Sequence, residues 1–398
     1  VRSEDFVVEE LARLPLDVAG DFAIYRVEKR DVTTLQVQHH MAAQLKRRSA
    51  DVQAPALKDK QAVAIQHVWV RGTGPAELSG PGYQARFVGR SRRPLRPSDL
   101  SGNRFTITLR DLSPDKAAAV SKQLHRLARH GLPNYFDRQR FGSYISQADA
   151  PNAFIGKTIL QRDAEGAVRD YLARPFVGDP SPVRAFKRVA QAHWGEWAYL
   201  LVEAPRPSNY RSVLTFLKDH PQDFRKALNL VPRRLLSLYV VAYQSYLWNR
   251  IAGEYLARRL ATDGQLSTLT ILGLALPVYS KLPDEQFAAL KTASIPLPEH
   301  RAVYADPILA AVVQEALSAE GLALNDLKAR ILQRAYLPRG HRPLLLFPAD
   351  VTCDQIDRGA AFPGRQACRL SFTLPAGAFA TLVLKRLGQV DDDHQPEQ

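Results

Sequence analysis

The sequence predicts an α/β (α+β) chain of two domains, and three observations carry that prediction. Its 398 residues exceed the size at which a single core stops growing. Short runs rich in Val, Ile and aromatic rings alternate with amphipathic helical stretches over the first 153 residues, then give way to a mainly helical pattern. Strand character returns near residue 369. The hydrophobic fraction, 45%, supplies ample material for a core.

In chain order, residues 5–10 (Asp-Phe-Val-Val-Glu-Glu) and 22–28 (Phe-Ala-Ile-Tyr-Arg-Val-Glu) are expected as strands. Residues 33–48 are expected as a helix. Thr33 or Thr34 caps it, Leu35, Gln38, Met41 and Leu45 follow helical spacing, and Lys46, Arg47 and Arg48 suit its C-terminal end. A strand at 66–70 precedes a Gly- and Pro-rich loop at 72–82. Over 102–110, Phe105, Ile107 and Leu109 alternate with Arg104, Thr106, Thr108 and Arg110, a strand whose pattern makes Phe105 a core residue. The next helix has both ends written out: Ser113 caps it, Pro114 takes its first position, Asp115 suits the dipole and Gly131 stops it. Pro175, Pro180, Pro182, Pro205 and Pro207 break the stretch after residue 153 into short pieces, and a long helix then runs from about 232 to 261. Shorter helical pieces are expected at 284–292 and 307–334, a strand, a Pro-Ala-Gly turn and a second element at 369–387, and a polar tail at 391–398.

Lysine and arginine number 54 against 40 acidic residues, a net charge of +14 that points to a polyanionic partner. No apolar run is long enough to span a bilayer, which favours nucleic acid over an integral membrane role. Two cysteines, Cys353 and Cys368, fit a reducing, cytoplasmic setting and offer no zinc-ligand spacing. There is no secretory signal pattern, and the chain starts at Val1 rather than at a methionine, which leaves room for residues ahead of it.

Three stretches carry chemistry. Arg86, Arg90, Arg92, Arg93 and Arg96 suit phosphate contacts, since each planar fork bonds two oxygens; a solvated basic loop has the same composition. Residues 132–142, Leu-Pro-Asn-Tyr-Phe-Asp-Arg-Gln-Arg-Phe-Gly, interleave rings with Arg138 and Arg140, as a splayed RNA strand requires, although a buried aromatic turn with surface arginines fits equally. Residues 54–66 set Asp59 between Lys58 and Lys60 at the start of an apolar run. Two adjacent cations favour the ionised carboxylate, which can then act as nucleophile or base. Lys-Asp-Lys is also ordinary on a solvated loop.

These pieces occur in an order that resembles the TruD family of tRNA pseudouridine synthases over nearly the whole chain. The carrying segments are Ser-Glu-Asp-Phe-Val-Val-Glu-Glu at 3–10, Leu-Lys-Asp-Lys-Gln-Ala-Val at 57–63 and Gly-Asn-Arg-Phe at 102–105. They continue with Pro-Asn-Tyr-Phe-Asp-Arg-Gln-Arg-Phe-Gly at 133–142, Tyr-Gln-Ser-Tyr-Leu-Trp-Asn at 243–249 and Leu-Pro-Ala-Gly-Ala-Phe-Ala-Thr at 374–381.

The resemblance implies a mixed-sheet pseudouridine synthase catalytic domain formed by 1–153 and 341–398, with the family's α/β TRUD domain inserted at 154–340. It implies RNA held in a basic cleft and isomerisation of a uridine, in the first instance uridine 13 of tRNA. It implies a reaction that runs without a redox step, a cofactor or a metal. The family's catalytic aspartate falls on Asp59, beside Lys58; Asn103 becomes a partner of the substrate or the active-site loop, and Phe105 a stacking platform for the flipped base. Asn134, Arg138, Gln139, Arg140 and Phe141 become substrate-binding positions. The chain departs from the family pattern at Ala56, Ala64, Ser101 and Asp137, and the family's usual lysine ahead of the Glu-Asp-Phe stretch falls before Val1. Asp137 adds a carboxylate near Arg138 and Arg140, which would weaken phosphate binding. With no coiled-coil seam, a monomer is expected. The competing class is a catalytically idle RNA binder or tRNA chaperone on the same fold; a hydrolase is disfavoured because the neighbours of Asp59 are lysines rather than a second carboxylate.

Overall fold

A computed structural model describes residues 2–144, 154–176, 178–260, 266–357 and 365–388; the expected tail at 391–398 lies outside them. The chain divides into one compact unit of Val1–Gly131 with Leu346–Gln398 and a second of Leu132–Leu345. These junctions differ from the expected 153 and 340, because the side chains of 134–137 are buried in the second unit's interior.

Among the described residues, the first unit is built on a nine-stranded mixed sheet. Its strands are β1 (Phe6–Ala12), β2 (Phe22–Lys29), β3 (Val52–Gln53), β4 (Val63–Arg71), β5 (Glu77–Gly80), β6 (Tyr83–Ser91), β7 (Leu100–Leu112), β8 (Ala349–Asp357) and β9 (Gln366–Pro375). Their order is β8-β9-β7-β1-β4-β2-β6-β5, with β3 paired to β4. β1 and β4 run parallel, whereas every other pair in this sheet is antiparallel. The two-residue period holds on β7: Phe105 and Ile107 are buried and Arg104 is exposed.

The region 72–91 is a hairpin rather than a loop followed by a basic run. Gly80 pairs with Tyr83 across Pro81-Gly82, and Gly82, at φ +73°, supplies the left-handed turn position. The arginines here and just beyond have partners: Arg86 faces Glu77 at 3.3 Å, Arg92 faces Asp17 at 2.7 Å, Arg93 forks onto Asp99, and Arg90 bonds the Gly20 carbonyl.

Helix α1 (Thr34–Gln44) is capped by Thr33, whose Oγ1 accepts from the Gln36 N–H while the Gln36 amide accepts from the Thr33 N–H. It ends before the expected Arg48, since Lys46 turns left-handed at φ 51° and Arg48 leaves to pair with Asp51. Val37, Met41 and Ala42 of α1 pack with Tyr25, Val27, Val68 and Val70 of β2 and β4. Each fully buried valine or methionine here contributes about 1.5–3 kcal/mol. Helix α2 (Pro114–His130) has the expected ends: Ser113 Oγ accepts from the Lys116 N–H, and Gly131 closes the helix at φ 70°.

The second unit centres on α3 (Arg233–Leu260), which is buried on nearly all sides from Tyr243 to Leu256. Among the described residues, six short helices between Ile155 and Asn229 precede it. The prolines there mark helix starts as well as breaks, Pro182 lying in the first turn of Ser181–Ala192. A hairpin of Leu266–Ile271 and Leu274–Tyr279 lacks the turn residues that announce one, and the expected helix at 307–334 is Pro307–Ala319 followed by a short 3₁₀ turn at Leu324–Lys328. No helix among the described residues is long and apolar enough to cross a membrane.

Candidate active site

The loop between β3 and β4 carries Asp59, with Lys58 beside it. Three anchors hold this loop. The Lys58 N–H donates to Thr34 Oγ1 at 3.0 Å, and the Thr34 hydroxyl in turn donates to the buried Gln66 Oε1 at 3.1 Å. The loop therefore crosses the N-terminal end of α1, where the helix dipole is positive. The second anchor is the Lys58 ammonium, which donates to Asn103 Oδ1 at 2.5 Å and lies 3.4 Å from Glu10 Oε1. The third is Lys29, only 1% exposed at the end of β2, whose ammonium donates to the Val32 carbonyl at 3.0 Å and to the Asp59 carbonyl.

Beneath Lys58 the Glu10 side chain is fully buried, and its Oε2 accepts from the His67 N–H at 2.9 Å and lies 3.3 Å from His67 Nδ1. A carboxylate this deep needs a counter-charge, and Lys58 supplies it. Glu10 and Asn103 are register partners on β1 and β7, so the strand pairing itself sets both beside the ammonium. Lysine only donates, so the bond to Lys58 fixes the Asn103 amide with its oxygen toward the ammonium and its NH₂ group away from it. Burial pushes the Lys29 ammonium below its ordinary pKa; the charges of Asp59 and Asp31 oppose that shift and Lys58 adds to it.

Phe105 lies two residues from Asn103 on the same face of β7. It is 7% exposed, with its ring edge-on to Phe6 at 6.0 Å and tilted against Phe372 at 5.7 Å. Gly102 is required here, since a Cβ would fall 2.3 Å from the Leu374 carbonyl oxygen on β9.

Asp59, Lys58, Asn103 and Phe105 thus belong to one unit. Asn134, Arg138, Gln139, Arg140 and Phe141 belong to the other, where most of the polypeptide around them faces inward. Asn134 donates to the Pro343 carbonyl at 3.0 Å and accepts from Arg342 at 2.7 Å, and Phe141 is buried edge-on to Phe154. Arg138 and Gln139 are exposed, and Arg140 bonds Ser245 Oγ at 3.0 Å. Asp137 is 2% exposed, so its carboxylate is directed away from the solvent that Arg138 faces.

Motif reading alone assigns no role to Glu10 or Lys29. Both carry a readable signal: each falls in phase with the apolar face of its strand, after Phe6 and Val8 in one case and Tyr25 and Val27 in the other. A charge in that phase marks a buried ion with a fixed partner.

The model of the family tRNA pseudouridine synthase D (TruD) matches residues 1–387. The probable tRNA pseudouridine synthase D of Methanopyrus kandleri is 31% identical over 373 residues, 92% of this chain and 86% of that protein. The tRNA pseudouridine synthase D of Aquifex aeolicus is 25% identical over 392 residues, 97% of this chain and 96% of that one. Among solved structures, a crystal structure of a candidate TruD from Methanosarcina mazei superposes with a TM-score of 0.70 at 25% identity, covering 97% of this chain and 92% of that one. With the family matched from end to end on a mixed sheet of the same fold, the chain belongs to the TruD family of tRNA pseudouridine synthases, which are isomerases.

Proposed function

We propose that Asp59 is the carboxylate that acts at the ribose of the target uridine, and that the target is uridine 13 of tRNA. The observation that carries the first part is the setting of Asp59: an exposed residue on a loop whose backbone is held from below by a buried lysine and whose neighbour Lys58 is fixed by Glu10 and Asn103. Either attack on C1′ or removal of the 2′ proton demands a carboxylate placed at the sugar, and an exposed position on a fixed loop allows that. The C1′–N1 bond breaks, uracil turns, and a C1′–C5 bond forms; the hydrogen at C5 leaves as a proton and N1 gains one. A fixed loop lowers the cost of aligning the carboxylate with the sugar.

Asn103 reads the extruded base in this scheme. Its NH₂ group, turned away from Lys58, suits a carbonyl oxygen of uracil and disfavours the amino group that cytosine carries at C4. Phe105, backed by Phe6 and Phe372, is the ring against which that base rests. The choice of uridine 13 is supported by the family resemblance alone.

The deciding experiment measures tritium released from tRNA carrying 5-tritiated uridine, with wild type and Asp59→Asn side by side, followed by mapping of the modified position. Release by wild type and none by the variant, with tRNA binding kept, is the expected result. Undiminished release by Asp59→Asn removes Asp59 from the mechanism, binding without release by either protein favours the idle RNA binder, and modification elsewhere removes uridine 13.

A further inference from the structure

The second unit contains a concavity that the chemistry at Asp59 does not use. It measures about 530 Å³ and is lined by Arg162, Arg225, Lys328 and Arg330 with Ile331 and Leu332. The four cations are exposed and come from three separate stretches: the end of the first short helix, the helix Phe224–Asn229, and the turn at the end of Leu324–Lys328. Among the described residues one carboxylate bonds to any of them, Asp326, at 2.7 Å from Arg162. Arg225 otherwise bonds the Arg330 carbonyl at 3.3 Å, and Arg330 the Asn325 side chain at 3.0 Å. Each guanidinium has five donors, so most of this capacity is unspent.

The turn that presents Lys328 and Arg330 is held in place. Asn229 donates to the Ile331 carbonyl at 2.9 Å and accepts from the Gln333 N–H at 2.8 Å. Between the two cations Ala329 is left-handed, at φ 51°, and 1% exposed. That conformation is unfavourable for any residue with a Cβ, and the contacts around it keep it. Gathering like charges on a fixed turn is also unfavourable, and an anion relieves it.

We propose that this concavity binds phosphates of the tRNA backbone, as a contact additional to the catalytic one. Planar guanidinium forks match phosphate oxygens. Among the described residues no aromatic ring lines the concavity on which a base could stack, so the contact reads backbone and not sequence. The inference rests on the tRNA substrate of the family and is independent of the role given to Asp59.

The test compares wild type, the triple variant R225Q/K328Q/R330Q, and a control R184Q/R188Q/K218Q that removes three cations of the same unit outside the concavity. Binding of unmodified tRNA is measured against salt concentration, kcat and KM from tritium release, and binding of inorganic phosphate by calorimetry. The concavity variant is expected to lose about tenfold or more in tRNA affinity, with KM raised, kcat within about twofold, and a salt dependence shallower by about two to three charges. The control is expected to shift affinity by less than about threefold. Equal weakening by both triples overturns the proposal in favour of overall charge, and unchanged binding by the concavity variant overturns it outright. Loss of inorganic phosphate binding with tRNA affinity untouched reassigns the concavity to a free phosphate and also overturns it. Should the triple variant not fold, Arg330→Gln alone, which leaves the 330 carbonyl in place for Arg225, is expected to weaken tRNA binding about threefold and to lower the salt slope by about one charge; no change in either sinks the idea.

Discussion

The loop at 57–60 and the segment at 134–142 are equally rich in motif residues, yet the fold treats them in opposite ways. Around Asp59 the backbone is anchored and the residue itself is left in solvent. Around Asn134 the side chains themselves are the anchors. Asn249 bonds both the N–H and the carbonyl of Phe136 at 2.7 Å, Tyr135 donates to the Pro277 carbonyl at 2.8 Å, and Arg342 bonds the Asn134 carbonyl while lying 3.9 Å over the Phe136 ring. Residues 134–137 are buried and satisfied by protein, as framework residues are, whereas Arg138, Gln139 and Asp59 face solvent.

Asp59→Asn is the sharpest probe of that contrast, with turnover expected to fall by about 10²–10⁴-fold and stability to move by no more than about 0.5 kcal/mol. A large drop in stability would place Asp59 with the framework. Arg342→Met is expected to behave in the opposite sense, costing about 3 kcal/mol because the Asn134 and Tyr135 carbonyls lose their buried donor; urea denaturation of the full chain reads this directly. Lys29→Met lies between the two. It frees the Asp59 carbonyl without altering the carboxylate chemically, so kcat is expected to fall about 10- to 100-fold with a smaller change in KM, together with faster amide exchange over 57–61.

The smallest effect concerns Asp5, whose carboxylate the Arg110 guanidinium holds below its ordinary value of 3.8. The folded chain therefore binds fewer protons than the unfolded one, and the stabilisation is present above about pH 4 and lost as pH falls through the lowered value. The stability gap between wild type and Asp5→Asn should accordingly close on acidification, and a gap that persists at the acid end would place the contribution in packing.

Strand β7 was legible because its alternation survives in the fold, β1 and β2 because they are rich in Val, Ile and aromatic rings, and α2 because both its caps are written in the sequence. The hairpin at 266–279 was not, for a definable reason. Its two-residue turn places Leu272 and Gly273 at φ 49° and 77°, a geometry announced by Asn-Gly or Asp-Gly, and Leu occupies the signalling position. At the site, Asp59, Lys58 and Asn103 could be named from short motifs, but the bond between Lys58 and Asn103 joins residues 45 positions apart and exists only through strand register. Burial of Phe105 agrees with its alternation pattern; the stacking role comes from resemblance alone.

The sheet order has a consequence for synthesis. β7 pairs with β1 on one side and with β9 on the other, and the whole of 132–345 is made between β7 and β9. On the ribosome, one edge of β7 therefore waits through the translation of that entire unit with its amides and carbonyls unpaired. Such an edge invites wrong partners, and the wait is long enough for the intervening unit to fold first. Phe372 and Leu374 reach Phe105 and Asn103 only when β9 docks. The nascent chain thus carries Asp59 early and gains the Phe372 ring behind Phe105 last, so this part of the sheet is complete only when the final strand docks.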